Sequence, residues 1–160
     1  MNPESAVLTA RGTKALLAIL RAGLTCGVMD ITAALVVYGF FGVPPVRLLQ
    51  GIASGLLGSR AFAGGLATAL LGLCCHFVIA MSAASVYFAA SRQFGFLLQH
   101  AIAAGALYGV AVYFFMNRIV VPLSAARQGP FSLKMMIIGV VIHIFCVGLP
   151  ISITIRRYSA

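Results

Sequence analysis

The sequence predicts an all-α integral membrane protein: a four-helix bundle with a short interfacial or re-entrant helix between the first and second spans. Three observations carry this expectation. The 160 residues are 62% hydrophobic and 8% charged, with mean hydropathy +1.09, which is too little polar surface to coat a water-soluble globule. Continuously apolar stretches at 15–41, 64–90, 101–123 and 133–155 each reach the ~20 residues that a helix needs to cross hydrocarbon. They lack the alternating polarity of barrel strands. The basic residues, which give a net charge of +9, punctuate the ends of these stretches as headgroup anchors do. The whole of 1–160 reads as one transmembrane domain, with lipid as its main partner and no nucleic-acid role.

The first span begins after Arg11 and Lys14. Arg21 interrupts its apolar run and no small-residue cleavage site follows, so it does not read as a signal peptide. Cys26 follows Gly-Leu-Thr, a poor acylation box. At ~100° per residue, Gly23, Gly27, Asp30 and Ala34 share one narrow arc. Small residues let helices approach closely in lipid, so this arc is the expected inward face.

After Pro44-Pro45, residues 46–58 have helical spacing, with Arg47, Gln50, Ser54 and Gly58 on one face and Leu48, Leu49, Ile52 and Leu56 on the other. That amphipathy predicts a helix in the membrane interface, or a re-entrant segment lining a cavity. The second span carries Gly65, Ala69, Gly72, His76, Ala83 and Tyr87 inward. Gly105, Gly109, Val112 and Met116 mark the third, which opens behind an interfacial His100 and closes near Asn117 and Pro122. A turn at Gly129-Pro130 leads to the fourth, marked by Gly139, His143, Cys146 and Pro150. All four cysteines fall in the spans and read as small buried hydrophobes.

A weak repeat relates the two halves. Gly23-Leu24-Thr25-Cys26-Gly27 resembles Gly105-Ala106-Leu107-Tyr108-Gly109, and Gly72 stands four residues before His76 as Gly139 stands before His143. Two helical hairpins related by an axis along the membrane normal would make the histidines pseudo-equivalent.

Asp30 is the only acidic residue besides Glu4. A carboxylate at mid-membrane costs ~2.5–3.5 kcal/mol on insertion scales and usually marks function. Arg21 lies nine residues away, nearly on the opposite face, so the expected partner is His76 or His143 from another helix. Asp30, His76 and His143, with Asn117 and Tyr108, are the candidates for a proton relay or a substrate-lining surface. The alternative is an interhelical hydrogen-bond network that only fixes packing, at about 0.6 kcal/mol per bond.

Other chemistries are less well served. His76 and His143 can supply two axial ligands for a haem b in a helix bundle, although no cofactor is required by the pattern. No catalytic residues are assigned: there is no Ser-His-Asp spacing, no phosphate loop, and one carboxylate for acid–base work. No metal motif is present. Small helix faces left over from the bundle would serve a homo-oligomer. With the N-terminus cytoplasmic, Arg11, Lys14, Arg21, Arg92, Arg156 and Arg157 face inward, against Arg47, Arg60, Arg118, Arg127 and Lys134 outside. That bias favours both termini in the cytoplasm.

Gln50-Gly51-Ile52-Ala53-Ser54-Gly55-Leu56-Leu57-Gly58 after a proline-containing loop, the histidine of the second span, Gly105-Ala106-Leu107-Tyr108-Gly109, and His143 followed by Gly148-Leu149-Pro150 together resemble the YagU-like group of small bacterial inner-membrane proteins. The resemblance covers most of the chain. It implies a polytopic inner-membrane protein with a link to acid stress. The chain departs from that group in lacking long extramembrane loops and acidic tails.

Overall fold

The computed structural model describes residues 3–127 and 129–159, with side chains for 12–127 and 129–158. The side chains of Glu4 and Arg11 lie outside the described residues. The chain runs through α1 (Pro3–Phe40), α2 (Pro45–Leu57), a 3₁₀ turn (Gly58–Ala63), α3 (Gly65–Gln93), α4 (Phe96–Gln99) and α5 (Ala101–Phe115). A π-helical segment (Met116–Val120) then leads into α6 (Val121–Leu123), and α7 (Leu133–Ile142) continues through a second π-helical segment (His143–Gly148) into α8 (Leu149–Ser159). Among the described residues, four helical runs are long and apolar enough to cross a membrane: Gly12–Phe40, Gly65–Gln93, Ala101–Leu123 and Leu133–Tyr158. The protein is an all-α membrane four-helix bundle.

Local chemistry sets the breaks. Gly42, at φ 76, turns the chain out of α1, and Pro45 opens α2 at the position where its missing N–H costs nothing. Ser132 caps α7 by accepting the Met135 N–H at 3.4 Å.

The halves pack as two hairpins, each closed by its glycine pair. A Cβ on Gly27 would stand 2.7 Å from the Phe77 ring and 3.3 Å from Ala80, and one on Gly23 would meet Met81, so this pair seats α1 on α3. Gly109 lies against the His143 carbonyl and Ile144, and Gly105 against Gly148 and Ser152, which seats α5 on the fourth span. Backbones this close gain the dispersion contact that drives helix association in lipid. Between the hairpins, Ala22, Cys26, Ala84, Tyr87, Ile151 and Ile155 form a buried core toward the end where the chain termini lie.

Several inward assignments change. Gly65 is exposed and, at φ 55, serves the turn into α3. In the fourth span Val147, Gly148, Ile151, Ser152 and Ile155 are buried, while Cys146 and Pro150 are only half-buried. The cause is the intervening π segment, since one extra residue in a turn rotates everything after it by ~100°. Cys26 is buried as expected, but Cys74 is exposed on the outer face of α3 and is not a core residue.

Helix α2 is oriented by lipid rather than water. Gln50 and Ser54 are buried and Leu56 is exposed, so its polar residues face protein, whereas Arg47 stays outside over the Phe62 ring at 4.2 Å. Gly72 admits the α2 backbone, because a Cβ there would overlap the Leu49 carbonyl. Gln50 Nε2 donates to the Gly65 carbonyl at 3.0 Å, and the Thr68 hydroxyl donates to the Ala61 carbonyl at 2.6 Å. The first bond ties α2, and the second the 3₁₀ turn, to the start of α3. Gln50→Leu is expected to destabilise the detergent-solubilised protein by ~0.5–1.5 kcal/mol, the net worth of one hydrogen bond, because the Gly65 carbonyl loses the Gln50 donor. A thermal melt unchanged from wild type would show that the bond contributes nothing.

Candidate functional site

Both π segments lie just before a proline. Pro122 cannot donate to the Arg118 carbonyl, nor Pro150 to the Cys146 carbonyl, and each ring crowds the turn behind it. The helix widens instead: the Val121 N–H reaches back five residues to the Met116 carbonyl, and the Leu149 N–H to that of Ile144. Such widened turns are frequent at functional sites. Here one holds Asn117 and the other begins at His143.

Four of the candidate residues, Asp30, His76, Asn117 and His143, line a single cavity of about 250 Å³. The rise of 1.5 Å per residue places three of them at one depth. Asp30 lies ~15 Å from the end of α1 at Phe40, His76 ~16 Å from Gly65 and His143 ~15 Å from Leu133. Asn117 lies ~9 Å from Leu123, and Val121, also on the lining, ~3 Å from it. The cavity therefore extends from mid-membrane toward the face carrying α6. In the opposite direction the buried core around Cys26, Tyr87 and Ile151 closes it.

The hydrogen bonds fix the protonation pattern of the neutral imidazoles. A carbonyl oxygen only accepts, so the nitrogen facing one must carry the hydrogen. His76 Nε2 donates to the Gly27 carbonyl at 2.8 Å, and His143 Nδ1 donates to the Gly139 carbonyl at 2.9 Å. The acceptors left are Nδ1 of His76 and Nε2 of His143. Asn117 Nδ2 donates to the Tyr113 carbonyl at 2.9 Å, which leaves its amide oxygen available. Tyr113 also meets the His143 ring edge-on, with centroids 5.2 Å apart, and so holds the imidazole in place. Asp30 is half-buried and has no hydrogen-bond or ion-pair partner among the described residues. The expected Asp–His contact is thus replaced by backbone bonds on both histidines, and the cavity presents mainly acceptors within apolar walls that include Ile31, Ile79 and Val147.

Tyr108 stands outside this lining. Its hydroxyl donates to the Ala83 carbonyl at 2.7 Å and its ring packs edge-on against Tyr87 at 5.0 Å, so it braces α5 on α3. Tyr108→Phe is expected to cost about 1 kcal/mol of stability, read as a small downward shift of the melting curve. His100 is exposed between α4 and α5, where its carbonyl accepts the Ala104 N–H at 2.9 Å. Sequence reasoning did not place Cys26 or Ile52 on the site. Cys26 faces the cavity because it lies one turn before Asp30, a signal available in the spacing, whereas Ile52 arrives only through the packing of α2.

The arrangement does not favour the bis-histidine haem reading. Nε2 of His76 is held by Gly27, and about 250 Å³ is below the ~300–1,000 Å³ usual for small-molecule and cofactor sites. Among the described residues, no three His, Cys, Asp or Glu side chains gather closely enough to hold a metal ion. No protein-family model, curated protein or solved structure matches the chain.

Proposed function

We propose that this multi-pass membrane protein is a small transporter or channel element that moves protons through its Asp30/His76/His143 core, in a bacterial inner membrane with both termini cytoplasmic. One observation carries the reading: an unpartnered carboxyl and two imidazoles, each with one free ring nitrogen, share a cavity at mid-membrane depth. Packing alone would satisfy such groups with one another, because an unmet polar group in lipid is costly. Acceptors lining one cavity give a proton three successive resting places. The lining that reaches Asn117 and Val121 offers entry from the α6 face, and the core around Tyr87 closes the other, so passage requires that core to loosen.

The test is proton flux into proteoliposomes under an imposed pH gradient, read with an entrapped pH-sensitive dye. Wild-type protein is expected to dissipate the gradient faster than empty vesicles. The triple variant Asp30→Asn, His76→Ala, His143→Ala is expected to return the rate to that of the lipid. Equal flux through wild type and triple variant would reject the mechanism.

A further inference from the structure

A second site lies away from the core, where the end of the fourth span on the termini side packs beside residues 21–25 of the first. A groove of about 650 Å³ there is lined by Arg21, Leu24, Thr25, Thr154, Arg157 and Tyr158. The donors converge. Arg21 lies over the Tyr158 ring with its guanidinium carbon 5.1 Å from the centroid, which holds one planar fork in place, and Arg157 brings a second from α8. Most helical serines here, Ser54, Ser82, Ser85, Ser91 and Ser152 among them, donate to a carbonyl of their own helix. The hydroxyls of Thr25 and Thr154 have no such bond and no other partner among the described residues. The only described carboxylate, Asp30, pairs with neither arginine. Two guanidinium groups and two hydroxyls are thus left facing one groove without an anion.

We infer that this groove binds the phosphate of an anionic phospholipid. Depth and shape favour a lipid over a free anion. From Arg21 to Phe40 the first span covers ~30 Å, the thickness of the hydrocarbon, so Arg21 stands at headgroup level, as does Arg157 next to the end of the fourth span at Tyr158. Immediately inside, Leu24 is 50% exposed and continues the groove as an apolar track for an acyl chain. Guanidinium forks suit phosphate oxygens in two-point contact. The two arginines therefore form a built headgroup site rather than diffuse anchors.

The experiment is native mass spectrometry of the full chain in detergent, titrated with phosphatidylglycerol, phosphatidylcholine or inorganic phosphate. Phosphatidylglycerol is expected to bind at least tenfold more tightly than phosphatidylcholine. Arg21→Gln with Arg157→Gln should abolish that preference. Arg47→Gln with Arg60→Gln, at the opposite face, should keep it, whereas Arg21→Lys with Arg157→Lys, which keeps the charge but loses the two-point forks, should keep only part of it. A wild-type melting curve for each variant guards against a folding defect. Equal binding of the two lipids, or a preference that survives Arg21→Gln/Arg157→Gln, would overturn the proposal. Displacement of the lipid by equimolar inorganic phosphate would also overturn it, by assigning the groove to a soluble anion.

Discussion

Gly148→Val is expected to be among the most destabilising single substitutions in the bundle. A side chain at Gly148 would meet the Gly105 carbonyl, the Gly109 amide nitrogen at 2.6 Å and the Gly109 Cα at 2.8 Å. All three are backbone atoms, which cannot rotate away as a flexible side chain would. Helix α5 and the fourth span must separate, and the dispersion contact along Gly105, Gly109 and Gly148 is lost together. The cost should reach or exceed the ~1–3 kcal/mol typical of overpacking. For a chain of this size that corresponds to a drop in melting temperature of roughly 2–12 °C. Gly129→Val is the control, since a Cβ there has nothing within 4 Å. If Gly148→Val melted with wild type, the close approach of these helices would be wrong.

The same separation should reach the site. Gly109 lies against the carbonyl of His143, and His143 begins the widened turn that ends at Gly148. Moving α5 outward shifts Val112, Met116 and Asn117 away from the wall bearing His143, and all of these line the cavity. Loss of proton flux in Gly148→Val would therefore accompany loss of packing, and such a variant cannot separate the two. A variant that preserves shape is needed for that.

What was legible in the sequence follows from which physical signals are local. Length and hydropathy mark the spans, because a helix in lipid must satisfy its backbone within itself. The third span occupies the expected Ala101–Leu123, while the second and fourth continue to Gln93 and Tyr158, since helical hydrogen bonds persist past the last apolar residue into the headgroup region. Spacing also brought Gly23, Gly27 and Asp30 to one face, and the structure places all three on the protein side of α1. The fourth span resisted this reading beyond His143. A uniform period cannot register a π segment, although Pro150, six residues before Arg156 and seven after His143, was visible as its cause. The partners of the imidazoles were hidden for another reason. Gly27 and Gly139 bind His76 and His143 through carbonyl oxygens, which every residue possesses, so no residue type announces them. The inversion of α2 was hidden likewise, because its amphipathy marks two faces without saying which one meets protein.

Asp30→Asn should move activity and stability in opposite directions, and that divergence separates a proton-handling role from a packing role. The amide matches the carboxyl in size, so the cavity walls of Ile31, Ala34 and Val112 need not shift. Asp30 has no hydrogen bond or ion pair to lose among the described residues. A charged aspartate at mid-span carries an insertion cost of ~2.5–3.5 kcal/mol, and the neutral amide avoids the charge. The variant is therefore expected to melt at or above the wild-type temperature in detergent, while proton flux in vesicles falls at least tenfold because the amide cannot take up and release a proton. This pattern is the trade-off expected where a site is kept at a cost to the fold. A purely structural Asp30 predicts the reverse, a lower melting temperature with flux unaltered. His143→Asn extends the argument: the asparagine Nδ2 can donate in place of Nδ1, but no titratable nitrogen remains where Nε2 now stands. Flux should fall again, with only a small change in melting. If both variants conduct at the wild-type rate, the cavity is a packing defect between two glycine-paired hairpins, and the carboxyl within it has no part in proton movement.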